Sequence, residues 1–170
     1  MLSVAVDAQG PTKPRWYAEK AGTSFPTVVD RENLLSETFG FKAVPNCLLI
    51  DEEGIFRYRM YGGFDIRKPK LRRLVDTWVS TGVIDDSGPN TDAQLPGLDH
   101  SRAMDHFHKG MDLYNRGQVK EALLQWRRGV ALEQDNYVIR KQIWAIEHPE
   151  KFYKGDVDYE WQRGQIEKGL

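Results

Sequence analysis

The sequence predicts an α/β fold followed by an all-α helical hairpin. Three observations carry this. Short aliphatic and β-branched runs alternate with helical patterns as far as residue 80. The stretch "TGVIDDSGPNTDAQLPGLDH" (81–100) then shifts to Gly, Pro, Asp and Asn. Beyond it, apolar residues recur at helical spacing and no strand-like run appears. The expected organisation is an α/β domain over 1–80, a linker over 81–100 and a helical region over 101–170.

The elements follow in order. "LSVAVDA" (2–8) is apolar and β-branched and reads as a buried strand, followed by a turn at "GPTKP". "PRWYAEKA" (14–21) reads as a short helix with Pro14 near its first turn and Gly22 stopping it. "FPTVVD" (25–30) is extended. "RENLLSETFG" (31–40) reads as a helix capped by Asp30 and ended by Gly40. "NCLLID" (46–51), the turn "EEG" and "IFRYRMYG" (55–62) form a hairpin. In "KPKLRRLVDTWVS" (68–80), Leu71, Leu74, Val75 and Trp78 fall at i, i+3, i+4, i+7 and make one helical stripe. After the linker, Ala103, Phe107, Gly110, Leu113 and Tyr114 line one helix, and Val119, Ala122, Leu123, Trp126, Gly129 and Val130 line a second. A third helix spans 136–147 with Val138, Ile139, Ile143 and Ile146 inward. "HPEKFYKGD" breaks it, and "VDYEWQRGQIEKG" gives a last short helix.

Composition excludes several classes. The chain has 170 residues, 40% hydrophobic and 29% charged, with net charge −1, which suits a soluble globular protein with no bulk attraction to nucleic acid or a membrane surface. No apolar run approaches the roughly 18 residues of a spanning helix. "MLSVAVDAQG" has no early Lys or Arg and no cleavage-like site, so it does not read as a secretory signal, which points to the cytoplasm; export enters only if a signal precedes it. Cys47 is the single cysteine, so no intrachain disulfide and no Cys-rich metal site can form. The four histidines, 100, 106, 108 and 148, contain no i, i+4 pair, and His106 and His108 do not share a helix face. No metal and no cofactor are expected.

The stretch "FPTVVDRENLLSETFGFKAVPNCLLIDEEG" carries Gly40, then Val44–Pro45, then Leu49-Ile50-Asp51-Glu52-Glu53-Gly54. In this order, after the strand "LSVAVDAQG" and before a strand and a helix, residues 1–80 resemble the thioredoxin-like redoxins of the TlpA/ResA and peroxiredoxin (AhpC/TSA-related) type. The resemblance implies a partial thioredoxin-like fold, a cis Val44–Pro45 bond and thiol–disulfide oxidoreductase activity. It also implies a leading strand and a helix bearing C-x-x-C before Leu2, which this sequence does not contain. That strand would lie between Leu2–Ala8 and Asn46–Asp51, so the sheet is expected to be open or gapped. The second half resembles a tetratricopeptide repeat. With Ala103 as its start, Gly110, Gly117, Ala122, Trp126, Gly129 and Leu132 fall where the repeat wants small, turn, small, large, small and apolar residues. It departs at Gln134, where Pro is usual, and at His106, where Trp is usual.

The site candidates follow. Cys47 is the one candidate for a catalytic thiol. Its neighbours Leu48, Leu49 and Ile50 are apolar, and such a setting raises a thiol pKa and leaves it inert, so a small buried hydrophobe is the favoured reading. Val44 and Pro45 are the substrate-binding candidates, since in the family the backbone before the cis-proline pairs with an extended peptide. Leu113, Tyr114 and Trp126 are the interaction candidates in the aromatic-rich helical region; packing between helices is the competing reading. The basic run Arg67, Lys68, Lys70, Arg72 and Arg73 reads as a solvated face.

Two functions are therefore expected. One is the C-terminal part of a redoxin whose cysteine motif lies upstream. The other is a redox-inactive interaction module built on the cis-proline platform and the helical repeat. The expected partner is a protein or peptide. A lone repeat cannot cover its own faces, and an open strand edge templates another chain, so a homodimer or higher assembly is expected. In the alternative, the helices fold back over the sheet within one chain.

Overall fold

The structure, a computed structural model, describes residues 1–84, 96–154 and 157–169. Among them the chain is mixed α/β, with the strands β1 (Ser3–Val6), β2 (Thr27–Asp30), β3 (Cys47–Ile50) and β4 (Phe56–Met60). The helices are α1 (Thr12–Ala21), α2 (Leu34–Phe39), α3 (Pro69–Thr81), α4 (Leu98–Asn115), α5 (Val119–Leu132), α6 (Tyr137–Glu147), α7 (Glu150–Tyr153) and α8 (Tyr159–Glu167). Contacts divide the chain into two compact units, Met1–Leu34 with Leu98–Leu170, and Leu35–Gly97.

In the first unit β1 and β2 run parallel, with Ser3 opposite Thr27 and Val6 opposite Asp30. A parallel pair needs a crossover, and α1 supplies it. The core of this unit gathers Ala8 with Ala103, Met104, Phe107, Met111, Leu123, Trp126, Ile139 and Ile143. Ala8 therefore ties the segment after β1 to the helical core, and the unit boundaries fall at Leu34/Leu35 and at Gly97/Leu98. The α4–α5 hairpin is built on small residues. A Cβ on Gly110 would lie 2.2 Å from Trp126 Nε1, and one on Gly129 would lie 3.0 Å from the carbonyl oxygen of Ala103. Trp126 stacks on Phe107 at 5.5 Å between ring centroids, and its indole N–H donates to the Phe107 carbonyl at 3.0 Å. Gly117, at φ 77°, closes α4, and the Gln118 N–H returns to the Leu113 carbonyl.

A buried His100–Glu133–Asn136 cluster and two part-buried histidine contacts tie this unit together. His100 pairs with the Glu133 carboxylate at 2.9 Å, and Asn136 donates to that carboxylate at 2.8 Å while capping α6 through the Ile139 N–H. His106 pairs with Gln125 at 2.8 Å, and His108 lies 2.9 Å from the Glu32 carbonyl.

In the second unit β3 and β4 pair antiparallel, with a register shift at Leu49/Ile50. Leu49, Tyr58 and Leu74 form its core, with Cys47, Met60, Val75, Trp78 and Ile84 packed against them. The expected stripe of α3 thus faces this hairpin. Arg67, Lys68, Lys70, Arg72 and Arg73 are exposed, in keeping with a solvated face.

Three expectations change in detail. Helix 31–40 begins only at Leu34, because Asn33 sits at φ 56°, outside helical space. Asp30 still acts as the cap, accepting from the Leu34 N–H at 3.0 Å. The expected linker is helical at both ends, since α3 runs to Thr81 and α4 starts at Leu98; its residues 85–95 lie outside the described residues. Each strand pair forms its own two-stranded sheet.

Candidate functional site

The Val44–Pro45 peptide is cis. Val44 and Pro45 are both exposed, Val44 at 42%. The loop is held from behind. The Gly62 N–H donates to the Asn46 side-chain oxygen at 2.7 Å, and the Phe64 N–H donates to the Pro45 carbonyl at 3.3 Å. The Val44 N–H and C=O have no hydrogen-bond partner among the described residues. The site thus presents a fixed, exposed backbone step with an open donor and an open acceptor, the requirement for adding an extended strand.

Cys47 opens β3, two residues beyond Pro45. It is half-buried and packs on the β3–β4–α3 core, and burial pushes its thiol pKa up. The thiolate is the reactive form in exchange and alkylation, so this environment suppresses both.

The interaction candidates separate. Trp126 is 0% exposed and belongs to the core; its role as a partner-facing residue is corrected, because the missing side chain of Gly110 leaves the space that the ring fills. Tyr114 is half-buried, its ring 5.8 Å from that of Trp126, and Leu113 is half-buried on the same helix. On α5 the exposed large apolar residues are Leu124 and Leu132.

A second polar cluster, not anticipated from sequence, lies at the carboxyl end of β1. Asp7 is only 8% exposed. Its carboxylate accepts from the Gln9 N–H at 2.8 Å and from the Tyr153 hydroxyl at 3.5 Å, while Gln9 Nε2 donates to the Tyr153 oxygen at 3.0 Å. Burial raises the Asp7 pKa despite these bonds and the nearby cations Lys13 and Arg31. Burial and the Asp7 charge push Tyr153 up in turn. Asp7 and Tyr153 are far apart in sequence, so no local motif signals the pair. Among the described residues no group of three or more His, Cys, Asp or Glu is placed to hold a metal ion. No helix among them is long and apolar enough to cross a membrane.

Compared with known proteins, the chain matches no family model, no curated protein and no solved structure.

Proposed function

We propose that the chain is the substrate-docking part of a thioredoxin-like thiol–disulfide oxidoreductase, with a tetratricopeptide-like hairpin for protein interaction. The observation that supports it most is the exposed cis Val44–Pro45 step with its open backbone donor and acceptor. The order of elements around it, β3–β4 hairpin then α3, is the one the family resemblance implies. Thiol–disulfide exchange needs an attacking thiolate and a second sulfur to release the mixed disulfide. One half-buried thiol with a raised pKa does not supply both, so catalysis requires cysteines that are not among these 170 residues. That same observation favours a second reading, a redox-inactive module that captures an extended peptide at Val44. Self-association through the open edge of β1 belongs to either reading.

The test is peptide docking. Alkylated insulin B chain, an extended probe without free thiols, should shift the backbone amides of residues 43–47 saturably. Val44→Pro removes the donor and should weaken binding by roughly fivefold or more, the order expected on losing a strand-pairing bond of about 1 kcal/mol. Unshifted methyl signals of Leu49 and Leu74 would verify that this unit remains folded. Shifts confined to the helical region, with 43–47 silent, would remove the docking role from the loop.

A further inference from the structure

The α1 helix turns a row at i, i+3, i+4, i+7 toward the groove beside β1, yet it buries no residue. The row is Pro14, Tyr17, Ala18 and Ala21, and the β1 residues opposite are Ser3 and Ala5. Small side chains on both walls leave an open groove of about 330 Å³, with Tyr17, Ala21 and Thr23 exposed along it. That size falls within the range of small-molecule sites. Phe25 and Tyr17 extend the apolar walls, and the hydroxyls of Ser3 and Thr27 have no hydrogen-bond partner among the described residues.

The polar end is asymmetric. Asp7 and Tyr153 already satisfy one another and Gln9. Lys13 acts on the Asp7 charge from a distance but donates no hydrogen bond to a described residue. Its ammonium lies 4.5 Å from the centroid of the Tyr153 ring and makes no ion pair with any described residue. A cation that rests on an aromatic face at the lip of an apolar groove retains its donors for an incoming anion.

We infer that this groove binds a small monocarboxylate with an apolar body, the carboxylate on Lys13 and the body between α1 and β1. The size and the apolar walls select a single aryl or branched aliphatic group. The charge on Asp7 opposes the ligand and sets an upper limit on affinity, so Asp7 discriminates against dianions. This site is independent of the Val44–Pro45 loop and does not rest on the docking proposal.

The experiment is NMR titration of the full chain with phenylacetate, with phenethylamine as the charge-reversed control. Phenylacetate should shift amides of β1, α1 and the turn before β2, saturating with a Kd on the order of 1 mM, as befits a ligand of this size. Phenethylamine should not saturate. Lys13→Met, at a partly exposed position, should weaken phenylacetate roughly tenfold by removing the charged donor. Asp7→Asn should tighten it roughly threefold by removing the like charge. Ala18→Leu should fill the groove and abolish saturable binding. Phenethylamine binding as well as phenylacetate, an unchanged Kd in Lys13→Met, weaker binding in Asp7→Asn, or shifts outside this region would each overturn the assignment.

Discussion

Gln142 and Ala8 meet at the edge of β1: the Ala8 N–H donates to the Gln142 side-chain oxygen at 2.9 Å. The Gln142 amide nitrogen in turn donates to the Val6 carbonyl at 3.4 Å. One carboxamide from α6 therefore supplies the acceptor and the donor that a neighbouring strand would supply at this step of the ladder. Ala8 is 1% exposed, so neither water nor another chain replaces these bonds without repacking the core.

Gln142→Met keeps the length and apolar stem but removes both bonds. It should destabilise the protein by about 1–3 kcal/mol, the cost of leaving a buried N–H unsatisfied. Gln142→Glu retains the acceptor for Ala8, loses the donor to Val6 and buries a charge, so it should cost more at pH 7 than at pH 4. Urea unfolding at the two pH values measures both. A Gln142→Met protein as stable as the parent would show that this pairing contributes nothing net.

The helical hairpin depends on a glycine facing a tryptophan. A Cβ on Gly110 would lie 2.2 Å from Trp126 Nε1, closer than any side chain can tolerate, so the indole or a helix must move. Gly110→Ala should destabilise by about 1–3 kcal/mol through overpacking, despite alanine's better helix propensity. Trp126→Ala should cost about 3–5 kcal/mol by opening the core. Leu124→Ser, at an exposed site on the same helix, should change stability by less than about 0.5 kcal/mol. Thermal unfolding of the three variants should give that order of loss; a neutral Gly110→Ala would show that the hairpin absorbs the methyl by shifting.

These residues mark what the sequence makes legible. Leu74, Val75 and Trp78 of the α3 stripe pack against its hairpin, and Gly110 and Gly129 sit at the tight points of α4–α5, because spacing alone encodes which face is buried. Trp126 is ambiguous by the same logic: an aromatic at helical spacing serves a core or a surface equally well, and only the neighbouring small residues decide. Gln142 gives no signal, since a polar residue between Lys141 and Ile143 reads as solvent-facing although it is buried. Asp7 and Tyr153 are joined by tertiary packing, which no periodicity reports. Helix 31–40 is shorter than its composition suggests, because backbone geometry at Asn33 overrides propensity.

Cys47 should be a slow nucleophile. Burial raises its pKa above the usual thiol value, so at pH 8 its thiolate fraction lies below that of a free cysteine. Iodoacetamide should alkylate it more slowly in the native protein than in urea, and the native rate should keep rising with pH beyond the range where free cysteine levels off. The chain should reduce insulin disulfides with dithiothreitol no faster than buffer, and Cys47→Ser should leave that baseline unchanged. Turnover that disappears in Cys47→Ser would overturn the inert assignment.

Asp7 gives stability a pH dependence of definite sign. Its native pKa lies above the unfolded carboxylate value because burial disfavours the charge. The native state then binds more protons than the unfolded state between the two values, so this residue's contribution falls as pH rises through that window and stays unfavourable above it. Asp7→Asn keeps an oxygen for the Gln9 N–H and removes the charge. It should raise the melting temperature at pH 7, and the gain should vanish as pH drops below about 3, under the unfolded carboxylate value of about 3.9, where the carboxyl is neutral in both states. An equal gain at both pH values would assign the effect to packing and not to ionisation.

The edge of β1 remains partly open, and this carries the prediction of self-association. Ser3 N–H bonds toward β2 at Pro26, so by alternation Val4 and Val6 turn their backbone groups to the other side. Gln142 takes the Val6 carbonyl and the Ala8 N–H. The Val4 N–H and C=O and the Val6 N–H have no partner among the described residues. Val4 and Val6 are only half-buried, which allows a second strand to approach. An edge of this kind, short but apolar and uncharged, is a template for a second copy of the chain. Light scattering at micromolar concentration should give a mass near twice 19.6 kDa, falling on dilution because three open groups hold a pair only weakly. Val4→Lys places a charge on the edge and should restore the monomer mass, whereas Leu124→Ser on the α5 surface should leave the dimer intact. A mass of 19.6 kDa at every concentration would mean that Gln142 and the helices suffice to close the sheet within one chain. A dimer lost in Leu124→Ser but kept in Val4→Lys would move the interface to the helical hairpin.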